Sequence, residues 1–198
     1  GRKIAFVSYT SPLAESPTAP FGTTDIYVVR SDGSDREQLT DDDQSDDLSP
    51  VWAPQGDRIA FDRYPRLQNG EDGPYADIWT VDARSRETVH LTHDQDDLNG
   101  DENPVWSPDG ALIAYSLTND GYENVSVMQA DGTQAKRVSS GWLSRNPSWS
   151  PDGRRIAYEH FDSTGTASDI SVARSDGDHR HVITDLPFPL FYPQWSSC

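Results

Sequence analysis

The chain has 198 residues, enough for one domain with a sizeable core and short for two. Thirty-three acidic residues face sixteen basic ones, and the net charge of −17 disfavours nucleic acid and anionic membrane surfaces as partners. The one cysteine, Cys198, leaves no internal disulfide; no apolar run reaches the length of a membrane span, and no leader peptide is visible.

The first predicted element is a strand, Lys3-Ile4-Ala5-Phe6-Val7-Ser8, followed by a long Pro-, Ser- and Thr-rich loop from Ser11 to Thr24. Asp25-Ile26-Tyr27-Val28-Val29 alternates like a half-buried strand. Asp32-Gly33 is a hairpin turn, and Glu37-Gln38-Leu39-Thr40 is the next strand. The acidic stretch Asp41–Asp47 leads to Pro50-Val51-Trp52-Ala53, a Pro-Gln-Gly turn, and Arg58-Ile59-Ala60-Phe61.

The pattern then returns. Pro104-Val105-Trp106-Ser107-Pro108-Asp109-Gly110 runs into Leu112-Ile113-Ala114-Tyr115, and Pro147-Ser148-Trp149-Ser150-Pro151-Asp152-Gly153 into Ile156-Ala157-Tyr158. In both, Pro presets φ for the turn and Gly accepts the left-handed conformation. Asp77-Ile78-Trp79-Thr80-Val81, Asn124–Met128 and Asp169–Ala173 repeat the second strand type. Val89–Thr92, Lys136–Ser139 and His181–Thr184 repeat the last.

Each unit therefore holds four short antiparallel strands, a to d, and Pro50, Pro104, Pro147 and Pro193 are expected to open the a strands at a period of roughly 40–55 residues. Such units are β-propeller blades. The predicted fold is all-β: a single propeller over 1–198, with strands b–d of blade 1 in 1–49, then repeats 50–103, 104–146 and 147–192. The closing strand 193–198 is expected to pair with the N-terminal blade, completing four blades and removing two open sheet edges.

The Trp-Ser-Pro-Asp-Gly-x-x-Ile-Ala-Tyr phrase, the Asp-Ile-Tyr-Val strand and the Asp-Gly turn resemble the repeat of TolB-type propellers, over essentially the whole chain. The resemblance implies a propeller in the periplasm or secreted. It also takes in the propellers of prolyl-oligopeptidase-like enzymes and oligogalacturonate-lyase-like proteins, so fold leaves function open.

Propeller geometry puts the tight a–b and c–d turns on one face and the b–c and d–a loops on the other. The second face is expected to carry function. Its d–a loops are half acidic and half aromatic. Asp46, Asp47, Asp96, Asp97, Asp101 and Glu102 could ligate a divalent cation such as calcium, a hard ion that takes carboxylate oxygens. Solvated loops that keep the protein soluble are the competing reading. An EF-hand is excluded, because Gln95 and Trp106 break the first and twelfth places. Asn103, Trp142, Arg145, Asn146, Phe188, Phe191 and Tyr192 could form a ligand or partner site, or plug the channel. Trp52, Trp106, Trp149 and Trp195 recur at the blade period and read as packing between blades. Asp25, Asp77, Asn124 and Asp169 read as turn or backbone-capping groups.

No Gly-x-Ser-x-Gly elbow, His-Glu-x-x-His helix or phosphate loop is present. The first functional expectation is a non-catalytic module that binds a protein or envelope component through the acidic and aromatic face. The alternative is a glycan- or cation-binding, lectin-like propeller. A hydrolase or lyase site at the channel mouth is the third reading. No membrane insertion is expected, and oligomerisation is open.

Overall fold

The computed structural model describes residues 2–10, 22–67, 71, 73, 75–93, 99–119, 121–162, 165, 168–184 and 189–196. Two compact units divide the chain, Gly1–Asp97 and Leu98–Cys198. All regular structure among the described residues is β.

The first unit holds two sheets. β1 (Lys3–Thr10), β2 (Thr23–Arg30) and β3 (Glu37–Gln38) form a three-stranded antiparallel sheet. β4 (Ser45–Trp52), β5 (Arg58–Pro65), β6 (Asp77–Asp82) and β7 (Thr88–His90) form a four-stranded one. Ile26, Val28 and Leu39 of the first sheet pack with Ile59, Phe61 and Val81 of the second, and Trp52 borders this core.

The second unit repeats the meander twice. β8 (Gly100–Trp106), β9 (Leu112–Asn119), β10 (Tyr122–Gln129) and β11 (Lys136–Arg137) form one blade. β12 (Leu143–Trp149), β13 (Arg155–Phe161), β14 (Ser168–Arg174) and β15 (His181–Val182) form the next. One parallel bridge, Glu123 to Leu143, joins the two sheets. Trp149 is buried where Ala114, Val125 and Val138 meet Ile156, Tyr158 and Ala173, so it packs between blades as its spacing predicts.

The a–b turns form as expected. Ser107 Oγ donates to Asp109 Oδ1 at 2.6 Å and accepts from Leu112 N at 2.9 Å. Ser150 repeats both bonds with Asp152 and Arg155. A second recurring bond was not anticipated. The hydroxyls of Thr40, Thr92, Ser139 and Thr184 accept from the backbone N–H of Ile26, Ile78, Val125 and Ile170. The preceding Asp77 and Asp169 take the hydroxyl protons of Thr92 and Thr184, so these acids orient a cap rather than being one.

The prolines do not open the a strands. β4, β8 and β12 begin four to five residues earlier, and Pro50, Pro104 and Pro147 lie inside them. Each strand shifts register around its proline, between Leu48 and Val51, Glu102 and Val105, and Arg145 and Ser148. The residue before each proline is left-handed: φ is 52° at Ser49, 57° at Asn103 and 53° at Asn146, and Tyr192 before Pro193 repeats it at 53°. A bulge leaves one residue out of the ladder, so proline sits there without losing a bond. Punctuation by proline thus marks the bulge and not the strand start.

β1 pairs with β2 alone among the described residues, and residues 189–196 belong to no strand.

Candidate partner-binding face

The bulges decide which groups meet at the loop face of the second unit. With Asn146 left-handed, its backbone N–H turns towards the preceding blade and donates to Ser116 Oγ at 3.1 Å. Tyr192 repeats the arrangement one blade on, its N–H donating to Glu159 Oε1 at 2.8 Å. Ser116 and Glu159 occupy the same place, directly after the Ala-Tyr of the b strand.

Glu159 is the hub. Its side chain is fully buried, yet it accepts from Arg145 Nε at 3.1 Å, Asn146 Nδ2 at 2.8 Å and Tyr192 N. Buried charge is tolerated because a guanidinium and two further donors replace its water. Arg145 stacks over Phe161, 5.0 Å from the ring centroid, and its second nitrogen lies 3.7 Å from Glu123 Oε2. That contact is too long for a hydrogen bond. Burial pushes the Glu123 carboxyl above its ordinary value; Arg145 opposes this, and Glu102 and Glu159 add to it.

Tyr122 and Trp142 stand exposed beside Glu123, ring centroids 5.0 Å apart and tilted by 47°. Glu123 N donates to the Trp142 carbonyl at 3.2 Å, which ties the loop carrying the indole to β10. Phe191 and Tyr192 form a second exposed pair, centroids 6.4 Å apart.

Of the residues expected from sequence, Trp142, Arg145, Asn146 and Tyr192 thus join one connected network, with Phe191 at its edge. Asn103 occupies the bulge of β8, Asp101 is buried in that strand, and Glu102 lies near enough to Glu123 to repel it. Phe188, Asp96 and Asp97 lie outside the described residues. Tyr122, Glu123 and Glu159 were missed. The available signal was Glu159 itself, a carboxylate that interrupts the apolar run Ile156-Ala157-Tyr158 of a core strand.

Asp46 and Asp47 lie in the first unit, in β4 rather than in a loop, and both are buried. Asp47 accepts from Arg63 Nε at 2.6 Å and from its terminal nitrogen at 2.8 Å. Asp46 accepts from Arg66 and, at 2.6 Å, from Thr24 N. Arg63 is held in turn by the Trp79 ring, 4.6 Å away, which stacks on His90. A cation placed at either carboxylate would have to displace an arginine. Among the described residues no three His, Cys, Asp or Glu side chains converge as a metal site.

The TolB beta propeller domain family model matches residues 5–198. The chain belongs to that family.

Among curated TolB propeller relatives, the Tol-Pal system protein TolB of Desulfosudis oleivorans is 32% identical over 125 residues, covering 61% of this chain and 25% of that protein. Its counterpart in Anaeromyxobacter dehalogenans strain 2CP-C is 29% identical over 119 residues, 60% of this chain and 25% of that one. The chain thus spans a stretch matching about a quarter of the length of these relatives. The putative TolB structure from Agrobacterium tumefaciens superposes with a TM-score of 0.66 at 21% identity, over 92% of this chain and 61% of that one. A puromycin hydrolase reaches 0.72 at 13% identity, over 98% of this chain and 31% of that one. These two likenesses show the fold alone.

Proposed function

We propose that this TolB-family propeller is a non-catalytic periplasmic module that binds a protein of the cell envelope through the loop face of its second unit. One observation carries the reading: exposed aromatic pairs, Tyr122–Trp142 and Phe191–Tyr192, stand around the network that half-buried Arg145 and Asn146 make with buried Glu159. Aromatic side chains held by a rigid support are the usual anchors of protein interfaces. The Tol-Pal system proteins among its relatives support an envelope partner and a periplasmic address.

The test is a photo-crosslinking residue at position 142 in cells, compared with position 131 in the uniform c–d turn. Crosslinks to envelope protein at 142 but not at 131 are expected. Equal labelling at both positions would sink the reading.

The same proposal extends to the ring, as four blades with blade 1 completed by Pro193–Cys198. In the second unit Trp149 Nε1 donates to Val105 O at 3.1 Å and Trp195 Nε1 to Ser148 O at 3.0 Å, in both cases the carbonyl just before the Trp of the preceding repeat. Trp52 Nε1 is buried with no partner among the described residues, beside a cavity of about 450 Å³ lined by Arg2, Lys3, Trp52, Ala53, Pro54 and Gly56. A Pro-x-Trp strand laid along β1 would bring the carbonyl that Trp52 lacks. Deleting residues 193–198 should then lower the melting temperature strongly, and an unchanged value would rule closure out.

A further inference from the structure

We infer that the strand completing blade 1 is supplied by a second copy of this chain, the two copies exchanging residues 189–196. This rests on the ring reading proposed above and names the source of its missing strand.

The seat is set by register. In the other blades the a-strand Trp faces the b-strand Ile: Trp52 faces Ile59, Trp106 faces Ile113 and Trp149 faces Ile156. On the far side of the bulge, Leu48 faces Asp62, Glu102 faces Ser116 and Arg145 faces Glu159. Blade 1 offers the matching b strand, Ile4-Ala5-Phe6-Val7, and among the described residues β1 pairs with β2 alone. Carried onto β1, the register sets Trp195 against Ile4 and Phe191 against Val7. Burial fits this. Ile59, Ile113 and Ile156 are fully buried, whereas Ile4 is 53% exposed, and Val7 and Phe191 are exposed with it. A strand in that seat covers all three. It also brings the Gln194 carbonyl to Trp52 Nε1, as Val105 serves Trp149 and Ser148 serves Trp195.

The strand is ready-made. Tyr192 has φ 53°, the bulge conformation of Ser49, Asn103 and Asn146, although residues 189–196 belong to no strand. The second unit already holds this segment: Ser168 Oγ bonds both the N–H and the carbonyl of Leu190 at 2.8 Å, and Trp195 is tied to Ser148. One chain thus carries an open sheet edge and a preformed strand that share no ladder. Two copies related by a two-fold axis pair both at once, and an open edge is a template for another chain's strand. Charge permits the approach. A net charge of −17 drives copies apart, yet residues 2–10 hold Arg2, Lys3 and no acid, and residues 189–196 hold no charge. The seam is therefore free of like-charge repulsion.

The test uses full chains in which Cys198→Ser removes the native thiol. One carries Val7→Cys and the other Phe191→Cys, and the two are mixed and oxidised. Directly opposed residues lie about 4.5–5.5 Å apart between Cα atoms, within disulfide reach. A covalent heterodimer is expected. Val7→Cys mixed with Leu190→Cys, one place out of register, should stay unjoined. Light scattering of the unmodified chain should give a mass of two chains, and deletion of residues 193–198 a mass of one. Circular dichroism melts confirm that each variant is folded. Failure of Val7→Cys and Phe191→Cys to join between chains overturns the inference whatever the mass. If a chain carrying both substitutions then links to itself, closure within one chain stands and only the exchange falls. Equal joining through Leu190→Cys would overturn the exchange as random collision. If no pair links and the deletion leaves the melting temperature unchanged, the exchange and the ring reading fall together.

Discussion

Trp149 Nε1 donates to the backbone carbonyl of Val105 at 3.1 Å, so the indole that fills the space between two blades also holds their a strands at a set height. Trp149→Phe keeps most of the packing and removes the bond. The loss should be about 1–2 kcal/mol, including the cost of leaving the Val105 carbonyl unpaired. Denaturant melts should place Trp149→Phe below wild type by that amount with an unchanged m-value. A neutral result would show that the bond is replaced by water.

Glu159 gathers Arg145, Asn146 and Tyr192 from two separate stretches. Glu159→Ala should cost about 2–3 kcal/mol, less than a fully buried pair loses, because Arg145 keeps part of its side chain in water. It should also loosen the segment at Tyr192. Hydrogen exchange of the Tyr192 amide is the direct readout, and unchanged protection would remove Glu159 from its place as hub.

Glu123 makes stability depend on pH. Burial raises its carboxyl above the ordinary 4.5, so the folded chain keeps a proton that the unfolded chain has released. That contribution is complete below the unfolded value and drains away as pH rises through the folded one. Glu123→Gln should therefore be more stable than wild type near neutral pH, with the difference shrinking in acid. Melting curves from about pH 4 to pH 8 would show it, and a pH-independent difference would contradict it.

Gly141 has φ +99°, and a Cβ there would lie 2.6 Å from His160 Cε1. Gly141→Ala should destabilise by about 1–3 kcal/mol through backbone strain, with the clash added. The change should also disturb the neighbouring Trp142. Adding His160→Ala relieves the clash but also removes the ring's bond to Ser144 Oγ at 3.1 Å, so the double variant should recover only part of the loss. Full recovery would mean that φ carries no strain.

Asp46 and Asp47 are held by Arg66 and Arg63. Calcium or EDTA should therefore not shift the melting temperature through Asp46 or Asp47, since only a ligand that binds the folded state raises it. A calcium-dependent rise would return attention to the acidic segment from His93 to Glu102.

Much of the fold was readable because its signals are local. Asp109-Gly110 and Asp152-Gly153 make their turns with bonds to residues within five positions. Ile156-Ala157-Tyr158 is a core strand in any blade. The strand starts were not readable, because a proline looks the same whether it begins a strand or rides a bulge; the left-handed φ of Ser49, Asn103 and Asn146 distinguishes the two. The site was half readable. Trp142, Arg145, Asn146 and Tyr192 stood out as odd residues in variable loops. Glu159 did not, since a carboxylate in a core strand acquires meaning only from donors that lie far along the chain.

Composition and repeat alone determine the blade, because alternation, turn chemistry and interblade tryptophans act over a few residues. Tertiary structure alone decides which polar groups have partners. Asp47 and Glu123 are both acids near loops in the sequence. One is hydrogen-bonded to its guanidinium at 2.6 Å, and the other is ion-paired with its guanidinium at 3.7 Å without a hydrogen bond. Charge interactions depend on distance and burial, and neither is written in the local pattern.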